Sequence, residues 1–423
     1  MTGSPPGLRV ETREIERVDD LLEYADPRAP LAWLRRGDGI VALAGSASVV
    51  RIAVRRADGD GRRAARLASR LAGLRERAVV DDEVRLPGTG LVAFGAYAFD
   101  EHSPGESTLI VPSTIVGSRG GRSWLTRVRV DGGADDAARP TAFGPYWSGT
   151  LGPGSMRPDR YQDAVRAALR AIAAREVGKV VLARDLVGTV PADADLRRLA
   201  RALSTGYPDT WTYAVDGIIG ASPETLVTVS GGTATARVLA GTTPRGADAD
   251  ADAAASVALA TSAKDLDEHR YAVQSVLAAL RPHARTLAAS EQPFMLKLPN
   301  VWHLATDVEG ELSDHASALD LVAALHPTAA VAGTPTDAAI TAIRRLEPFD
   351  RGRYAGPVGW VDAAGDGEWA IALRCAQFGA PDAEAGTIPV VAHAGAGIVA
   401  GSDPETEMLE TRVKFRPIVE ALA

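Results

Sequence analysis

Strand-like and helical segments follow one another along this chain without strict alternation, and this order constrains the fold. A helical pattern at 159–178 leads directly into the β-branched run 179–190, but 211–242 reads as several successive strands. A further strand is predicted at 300–312, and three more lie within 355–399. Clustered strands without repeated βαβ units favour an α+β fold with large, mostly antiparallel sheets.

The composition limits the class of protein. With 423 residues, of which 46% are hydrophobic and 24% charged, the chain has ample apolar material for a core and could form one large domain or up to three ordinary ones. A net charge of −8 argues against nucleic acid or an anionic membrane as the main partner. No apolar run is long enough to span a bilayer, and the first residues do not resemble a signal peptide. A cytoplasmic location is therefore expected.

Familiar cofactor motifs are missing from the sequence. The glycine-rich segment 395–401, GAGIVAG, is one residue too long for a dinucleotide fingerprint, and neither a P-loop nor an H-E-x-x-H motif occurs. The single cysteine, Cys375, excludes an intramolecular disulfide and any site built from several cysteines. A zinc centre is therefore not expected.

Two helical segments carry pairs of carboxylates at helical spacing. Asp265 and Glu268 stand at i and i+3 in the first, and Glu407 and Glu410 do so in the second, where Lys414 follows on the same face. Such pairs commonly face solvent. They are equally the kind of oxygen ligands that Mg²⁺ prefers. The spacing alone leaves both interpretations open.

Two local patterns predict where elements begin and end. Ser402 and Glu405 have the spacing of a capping box, with Pro404 at the first helical position, so the second acidic helix is predicted to begin there. The glycine- and proline-rich segment 132–159 predicts an irregular connection between the two parts of the chain.

Three charged residues stand in apolar surroundings. Lys179 opens an apolar strand, where loss of solvation would disfavour its charged form and suit a general base, although a lysine reaching out to water is the alternative. Glu224 begins a strand after a proline turn, where it could donate a proton or cap backbone amides. Arg374 is predicted within a strand, where its partner would be a substrate carboxylate or an internal one.

Nine short segments follow one another between about residue 155 and the C-terminus. They are KVVLAR, SPETLV, LAGTTPRG, KDLDEH, VWHLATDVEGEL, LHPTAAVAGTP, RGRYAGPVGW, IALRCAQF and AGAGIVAGSDPETEMLETRVK. Together they resemble the chorismate-utilising enzymes, a family that includes isochorismate, salicylate, anthranilate and aminodeoxychorismate synthases. Each segment alone is weak, whereas nine in series are specific. The N-terminal third resembles the family only loosely, through AFGAYAFD.

The resemblance implies a large two-layered α/β sandwich with mostly antiparallel sheets, the fold of anthranilate synthase component I. It places the whole chain, 1–423, in one catalytic domain, with a motif-bearing core at 155–420 and a divergent N-terminal part at 1–150. It also implies a Mg²⁺-dependent enzyme acting on chorismate, because glutamates can hold a substrate carboxylate only through a cation. The implied metal ligands are Glu268 and Glu410, with Glu407 and Asp265 acting through water.

The other site residues follow from the same resemblance. The enolpyruvyl carboxylate of chorismate would meet Lys414, Arg374, Tyr354 and the backbone amides of Gly395 and Gly397. Thr242 and His303 would lie beside the ring, near the reacting centre.

Three residues indicate one branch of the family. Lys179 matches members that activate water, whereas ammonia-using members have glutamine there, and Ala240 stands where aminodeoxychorismate synthases tend to carry a nucleophilic lysine. His326 in LHPT is more similar to isochorismate synthases than to salicylate synthases. The predicted reaction is the isomerisation of chorismate to isochorismate. In it, Lys179 takes a proton from the water that attacks C2, and Glu224 protonates the departing C4 hydroxyl.

Two further expectations concern the reaction's context. A salicylate synthase, which goes on to eliminate pyruvate, is the alternative within the same site. A non-catalytic binding protein on the same fold is a second alternative, against which the lysine, the glutamate and the metal ligands together argue. No glutamine amidotransferase subunit is expected as a partner, since the nucleophile is water. The sequence leaves open whether the product feeds menaquinone, a siderophore or an antibiotic.

Overall fold

The computed structural model describes residues 7–44, 48–56, 62–130 and 139–423. Its strands are β1 (Leu8–Ile15), β2 (Ala32–Arg35), β3 (Asp38–Ala42), β4 (Ser48–Val54), β5 (Ala78–Asp82), β6 (Val92–Ala96), β7 (Ser107–Pro112), β8 (Thr114–Arg119), β9 (Arg122–Val130), β10 (Thr150–Pro153), β11 (Lys179–Pro191), β12 (Trp211–Val215), β13 (Ile218–Ser222), β14 (Thr225–Ser230), β15 (Thr233–Pro244), β16 (Ala284–Ala289), β17 (Phe294–Lys297), β18 (Val301–Leu312), β19 (Gly333–Thr334), β20 (Pro357–Asp362), β21 (Gly367–Ile371), β22 (Cys375–Phe378) and β23 (Thr387–Ile398). Its α-helices are α1 (Arg63–Arg75), α2 (Pro158–Ala173), α3 (Arg197–Gly206), α4 (Ala249–Thr261), α5 (Ala263–Leu280), α6 (Ala318–Leu325), α7 (Thr336–Leu346) and α8 (Pro404–Leu422).

The described strands form two large sheets. The first has 13 strands in the order β10-β11-β23-β22-β13-β12-β2-β3-β8-β9-β1-β5, with β19 beside β11. The second has 10 strands in the order β16-β18-β15-β14-β21-β20-β6-β7-β4, with β17 beside β18. Within the described residues, only the β1–β5 pairing is parallel. The prediction of large, mostly antiparallel sheets is confirmed.

Helices cover the two sheets. Strands of the 13-stranded sheet contact α2, α3, α7 and α8, whereas strands of the 10-stranded sheet contact α1, α4, α5 and α6. Helix α8 also contacts β15 of the 10-stranded sheet. In α2, which begins at the proline of its first position, Tyr161, Val165 and Ala168 recur at helical spacing and are buried. These residues form the buried face of α2, which packs against α8 and β11.

The N-terminal part of the chain adds strands to both sheets. β2 pairs with β12, and β6 pairs with β20, so strands from before and after residue 150 lie side by side. The buried carboxylate of Glu368 accepts hydrogen bonds from the indole nitrogens of Trp33, at 2.9 Å, and Trp360, at 3.2 Å. These hydrogen bonds join the N-terminal part, through Trp33, to the rest of the chain. They also satisfy a buried carboxylate, which would destabilise the fold if it had no partner.

Two local predictions are wrong. Arg374 does not lie within a strand but in the bend between β21 and β22, with φ +49°. The cap of α8 is Asp403, whose side chain accepts from the amide of Thr406 at 2.9 Å, and not Ser402, whose hydroxyl accepts from the amide of Val399 at 3.1 Å. Both residue types cap helices well, so the sequence pattern was right in kind but displaced by one residue.

Two other predictions concern segments. Residues 132–138 of the predicted irregular connection lie outside the described residues, and β10 is the one strand between 139 and 157. None of the helices in the described ranges is long and apolar enough to cross a membrane.

Candidate active site

Lysines and carboxylates are paired where α5, α8 and β11 meet. The chain contains only four lysines, and three of them each contact a different glutamate. The pairs are Lys179 with Glu268 at 3.2 Å, Lys264 with Glu407 at 2.6 Å, and Lys414 with Glu410 one helical turn away. The structure thus brings both acidic helices to the first residue of β11, as a shared site requires.

A glycine on the neighbouring strand makes room for one of these pairs. Gly397 on β23 lies opposite Val181 on β11, and a Cβ added to it would stand 2.1 Å from Glu268 Oε1 and 3.0 Å from Lys179 Cε. Any larger residue would therefore displace both side chains. Lys179 is fully buried at this position. The alternative that it reaches out to water is excluded.

The amides of Gly395 and Gly397 point into the site. Opposite them on β11, the amides of Ala183 and Val181 donate to acceptors that lie away from β23, at 2.8 and 2.9 Å. Both pairs are therefore the non-hydrogen-bonded pairs of the antiparallel ladder, in which the N–H and C=O groups of both residues point outward. Consistent with this, Lys414 Nζ donates to the carbonyl of Gly395 at 2.9 Å.

Glu224 occupies the interior end of the site. It lies between β13 and β14, is 5% exposed, and its amide donates a hydrogen bond to the hydroxyl oxygen of Ser222 at 3.2 Å. Burial raises the pKa of Glu224 to about 8, although the positive charges of Lys179 and Arg374 oppose the shift. A carboxyl group that stays protonated near neutral pH can act as a proton donor.

His303 and Thr242 form a hydrogen-bonded chain with Arg374. Burial and the charge of Arg374 hold the pKa of His303 well below its usual range, so the ring is neutral. Arg374 can only donate, and its Nη2 lies 3.4 Å from His303 Nε2, so the proton of the imidazole sits on Nδ1. Nδ1 then donates to Thr242 Oγ1 at 3.0 Å, which leaves the threonine hydroxyl hydrogen free to point at a ligand.

Nine of the thirteen predicted residues line one narrow pocket of about 60 Å³. They are Glu224, Thr242, Glu268, His303, Tyr354, Arg374, Gly395, Gly397 and Lys414. Of the other four, Lys179 and Glu410 each contact a lining residue, and Glu407 and Asp265 stand on α8 and α5 beside them. All thirteen residues therefore belong to one region of the molecule.

The carboxylates fit a hard divalent cation in their chemistry. In the described ranges no three metal-binding side chains converge as a ready-made site, because three of the four carboxylates hold lysines instead. Glu407 is 1% exposed, and its Oε2 is buried with no hydrogen-bond partner among the described residues. Burial and the neighbouring Glu410 raise the pKa of Glu407, and burial raises the pKa of Asp265, with Glu268 and Glu410 adding to it. Four carboxylates stand against three lysines, so the ionised cluster carries one negative charge in excess, and it offers only oxygen ligands.

Sequence reasoning missed three residues that support the site. Lys264 was overlooked, although the scarcity of lysine in an arginine-rich chain was a usable signal. Glu347 and Arg351 form a buried pair at 2.6 Å behind β11, where Glu347 accepts from the amide of Ala183 and Arg351 donates to the carbonyl of Val181 at 2.8 Å. Their sequence surroundings gave no signal of this clamp.

Comparison with known proteins identifies relatives of the chain. A family model described as chorismate binding enzyme matches residues 149–423. The isochorismate synthase DhbC of Bacillus subtilis is 44% identical over 281 residues, which cover 63% of this chain and 68% of that protein.

Solved structures agree with this result. The crystal structure of DhbC from Bacillus anthracis matches this chain with a TM-score of 0.75 and covers 95% of this chain and 98% of that one. The two sequences are 31% identical. Anthranilate synthase component I from Streptococcus pneumoniae is 20% identical, with a TM-score of 0.63 and coverage of 99% and 93%. The second likeness shows the fold, and the predicted fold class is confirmed.

Proposed function

Because the chain belongs to the chorismate-binding enzyme family and acts as an isochorismate synthase, we propose that Lys179 and Glu224 are its general base and general acid. Lys179 would take a proton from the water that attacks C2 of chorismate, and Glu224 would give a proton to the C4 hydroxyl as it leaves. The observation that carries this assignment is the pKa of Glu224, raised to about 8 by burial, at one end of a pocket whose wall contacts Lys179 through Glu268.

Balance of protons supports this pairing. Attack by water releases one proton, which Lys179 Nζ can accept, and departure of hydroxide consumes one, which Glu224 can supply. Chorismate and isochorismate have the same composition, so no net proton enters or leaves. The buried, protonated carboxyl of Glu224 meets the second requirement at neutral pH, and the first requires Lys179 to react in its neutral form.

The carboxylates on α5 and α8 would hold the metal. We assign Glu268 and Glu410 as its direct ligands, with Glu407 and Asp265 contributing through water. Mg²⁺, when bound there, would supply the positive charge that holds the ring carboxylate of chorismate. The excess of negative charge in this cluster and the unpartnered oxygen of Glu407 support the assignment.

The other substrate carboxylate would be bound by positive charge and backbone amides. The pocket is lined by Arg374, Lys414, Tyr354 and the glycines Gly395 and Gly397, whose amides point outward from β11. Thr242 would donate its hydroxyl hydrogen to the substrate, since His303 already donates to its oxygen. This set fits the enolpyruvyl carboxylate of chorismate, which needs several donors in a water-poor site.

We also propose that residues 1–423 act as one catalytic domain. The pairings of β2 with β12 and of β6 with β20 support this view, because neither sheet is complete without strands from the N-terminal part. The chemistry nevertheless comes from residues after 150.

Product analysis tests the proposed reaction. The enzyme is incubated with chorismate and Mg²⁺, with and without ammonium, and the products are separated and identified by NMR. We expect isochorismate alone, in equilibrium with chorismate, and no effect of ammonium. Release of salicylate and pyruvate, or an aminated product, would contradict the proposed end point and the role of water.

A further inference from the structure

A second cavity lies next to the active-site pocket on the same face of β23. It measures about 340 Å³, compared with about 60 Å³ for the pocket. Along one face of a strand, side chains recur every two residues. Val391 and His393 line the second cavity, here named the rear cavity, and Gly395 and Gly397 continue the same face into the pocket. The two spaces are therefore neighbours on one strand.

A thin wall separates the rear cavity from the pocket. Tyr354 and Arg351 line both spaces. The ring of Tyr354 stacks on that of His393, with centroids 5.2 Å apart and 23° between the planes. A molecule that touched His393 from the rear cavity would be one aromatic ring away from bound substrate.

The charged groups around the rear cavity already have partners. The pairs are Arg353 with Asp216, Arg351 with Glu347, Glu106 with Arg51, and Asp350 with the hydroxyl of Ser103 and the amide of Gly352. The arginines among these residues are all paired, and Asp350, which is held only by neutral donors, would repel an anion, so an anionic ligand would lose its hydration without compensation.

The floor of the rear cavity is largely apolar, with two polar side chains, Gln377 and His393. The side-chain nitrogen of Gln377 already donates to the carbonyls of Asp216 and Phe378. Ile218, Gln377 and Val391 are direct neighbours across β13, β22 and β23. Burial lowers the pKa of His393 to about 4, so its ring is neutral and offers one donor and one acceptor. Within the described ranges neither ring nitrogen of His393 is hydrogen-bonded, and the ring packs against those of Phe349 and Tyr354.

We propose that the rear cavity binds a small uncharged aromatic molecule with one hydrogen-bonding group, and that its occupancy alters chorismate binding through Tyr354. The cavity volume lies within the range of small-ligand sites, which are mostly apolar with a few placed polar groups. The flat floor and the stacked His393 favour an aromatic ring, and the imidazole supplies the hydrogen bond. The paired rim charges exclude an anion.

Indole is a suitable probe because it is flat, uncharged and has a single N–H group. Calorimetry of the Mg²⁺-loaded enzyme is expected to show one indole site, whereas benzoate, which is similar in size but charged, should not bind there. Saturating indole is expected to change the apparent KM for chorismate at least threefold and then level off. An increase in KM without limit would mean competition in the active site and would overturn the proposal, as would binding of indole with no change in KM.

Cavity-filling variants locate the effect. Ile218→Phe should weaken indole binding at least tenfold and remove its effect on KM, and Val391→Phe, from the neighbouring strand, should do the same. Val79→Phe adds the same ring at an exposed position of β5 and should leave both unchanged. If indole binds Val391→Phe or Ile218→Phe as tightly as wild type, the rear cavity is not its site. The second variant keeps the test valid if the first does not fold.

Discussion

The pocket buries ionisable groups differently at its two ends. At the interior end, Glu224 stands between strands, where it forms no ion pair with a lysine among the described residues, and burial raises its pKa to about 8. At the helical end, Glu268, Glu407 and Glu410 are close together, and each contacts its own lysine. The comparison shows how one fold can use the same residue type for two tasks. A lone buried carboxyl holds its proton, whereas paired carboxylates form a centre where a metal can replace lysine as the counter-charge.

The largest expected effect comes from removing a carboxylate at the helical end of the pocket. Glu268→Gln or Glu410→Gln should abolish turnover, because each removes an anionic oxygen ligand from a site that depends on several. EDTA should abolish the activity of the wild-type enzyme, and added Mg²⁺ should restore that activity. Isochorismate formation is the measurement. Glu420→Gln, which changes an exposed glutamate on the same helix, is the control and should be fully active. Full activity in chelator would end the metal assignment.

The next effect comes from the catalytic pair. Lys179→Ala should lower kcat by roughly two to four orders of magnitude, the usual worth of a positioned general base, with KM nearly unchanged. Glu224→Gln should do likewise, because an amide cannot supply an acidic proton to the leaving hydroxyl. Lys297→Ala removes the one lysine outside the site and is the matched control. If both site variants remain within about tenfold of wild type, the acid–base assignment is wrong.

The pH dependence sharpens the difference between the two ends. With the pKa of Glu224 raised to about 8, the rate should fall as the pH rises through that value, since the acid is lost. The folded protein should also hold a proton that the unfolded chain has released between about pH 4.3 and 8, so its stability should decline across that window by up to about 1.4 kcal/mol per pH unit.

Glu224→Gln should remove this slope in stability. Chemical denaturation of both proteins between pH 5 and 8 measures it, and the difference in unfolding free energy between them should grow steadily with pH. Parallel curves would show that Glu224 does not carry the raised pKa.

The sequence predicted which residues form the pocket better than it predicted how they are oriented. Motif resemblance supplied thirteen residues that the structure brings into one region. The resemblance could not show in which direction the backbone groups of these residues point. That the amides of Gly395 and Gly397 face the pocket depends on the register of β11 against β23, and the bend at Arg374 depends on how β21 passes to β22. Such features arise from pairing between distant segments, which local pattern does not encode.

The N-terminal part illustrates the same limit. Its contribution to both sheets rests on β2 pairing with β12 and β6 with β20, contacts that join residues far apart in the chain. The motifs lie after 150, so they gave no information about these pairings. Lys264 was missed for another reason: its partner, Glu407, is 143 residues away on a different helix.

The smallest effect concerns that pair and tests whether lysine and metal compete for the same carboxylate. Lys264→Met should tighten Mg²⁺ binding roughly tenfold in the absence of chorismate, a change of about 1.4 kcal/mol, because the ammonium 2.6 Å from Glu407 Oε1 no longer opposes the cation. Without Mg²⁺ the variant should be less stable by about 1–3 kcal/mol, since Glu407, 1% exposed, is left buried without a partner. Calorimetric titration and Tm with and without Mg²⁺ measure the two effects. Lys264→Arg keeps the charge and should bind Mg²⁺ like wild type, and Lys297→Met should change neither quantity. If Lys264→Met binds Mg²⁺ no more tightly than wild type, lysine and metal do not compete for Glu407. The lysine would then serve to hold Glu407 in position for the metal, and the helical end would not be a centre where a metal replaces lysine as the counter-charge.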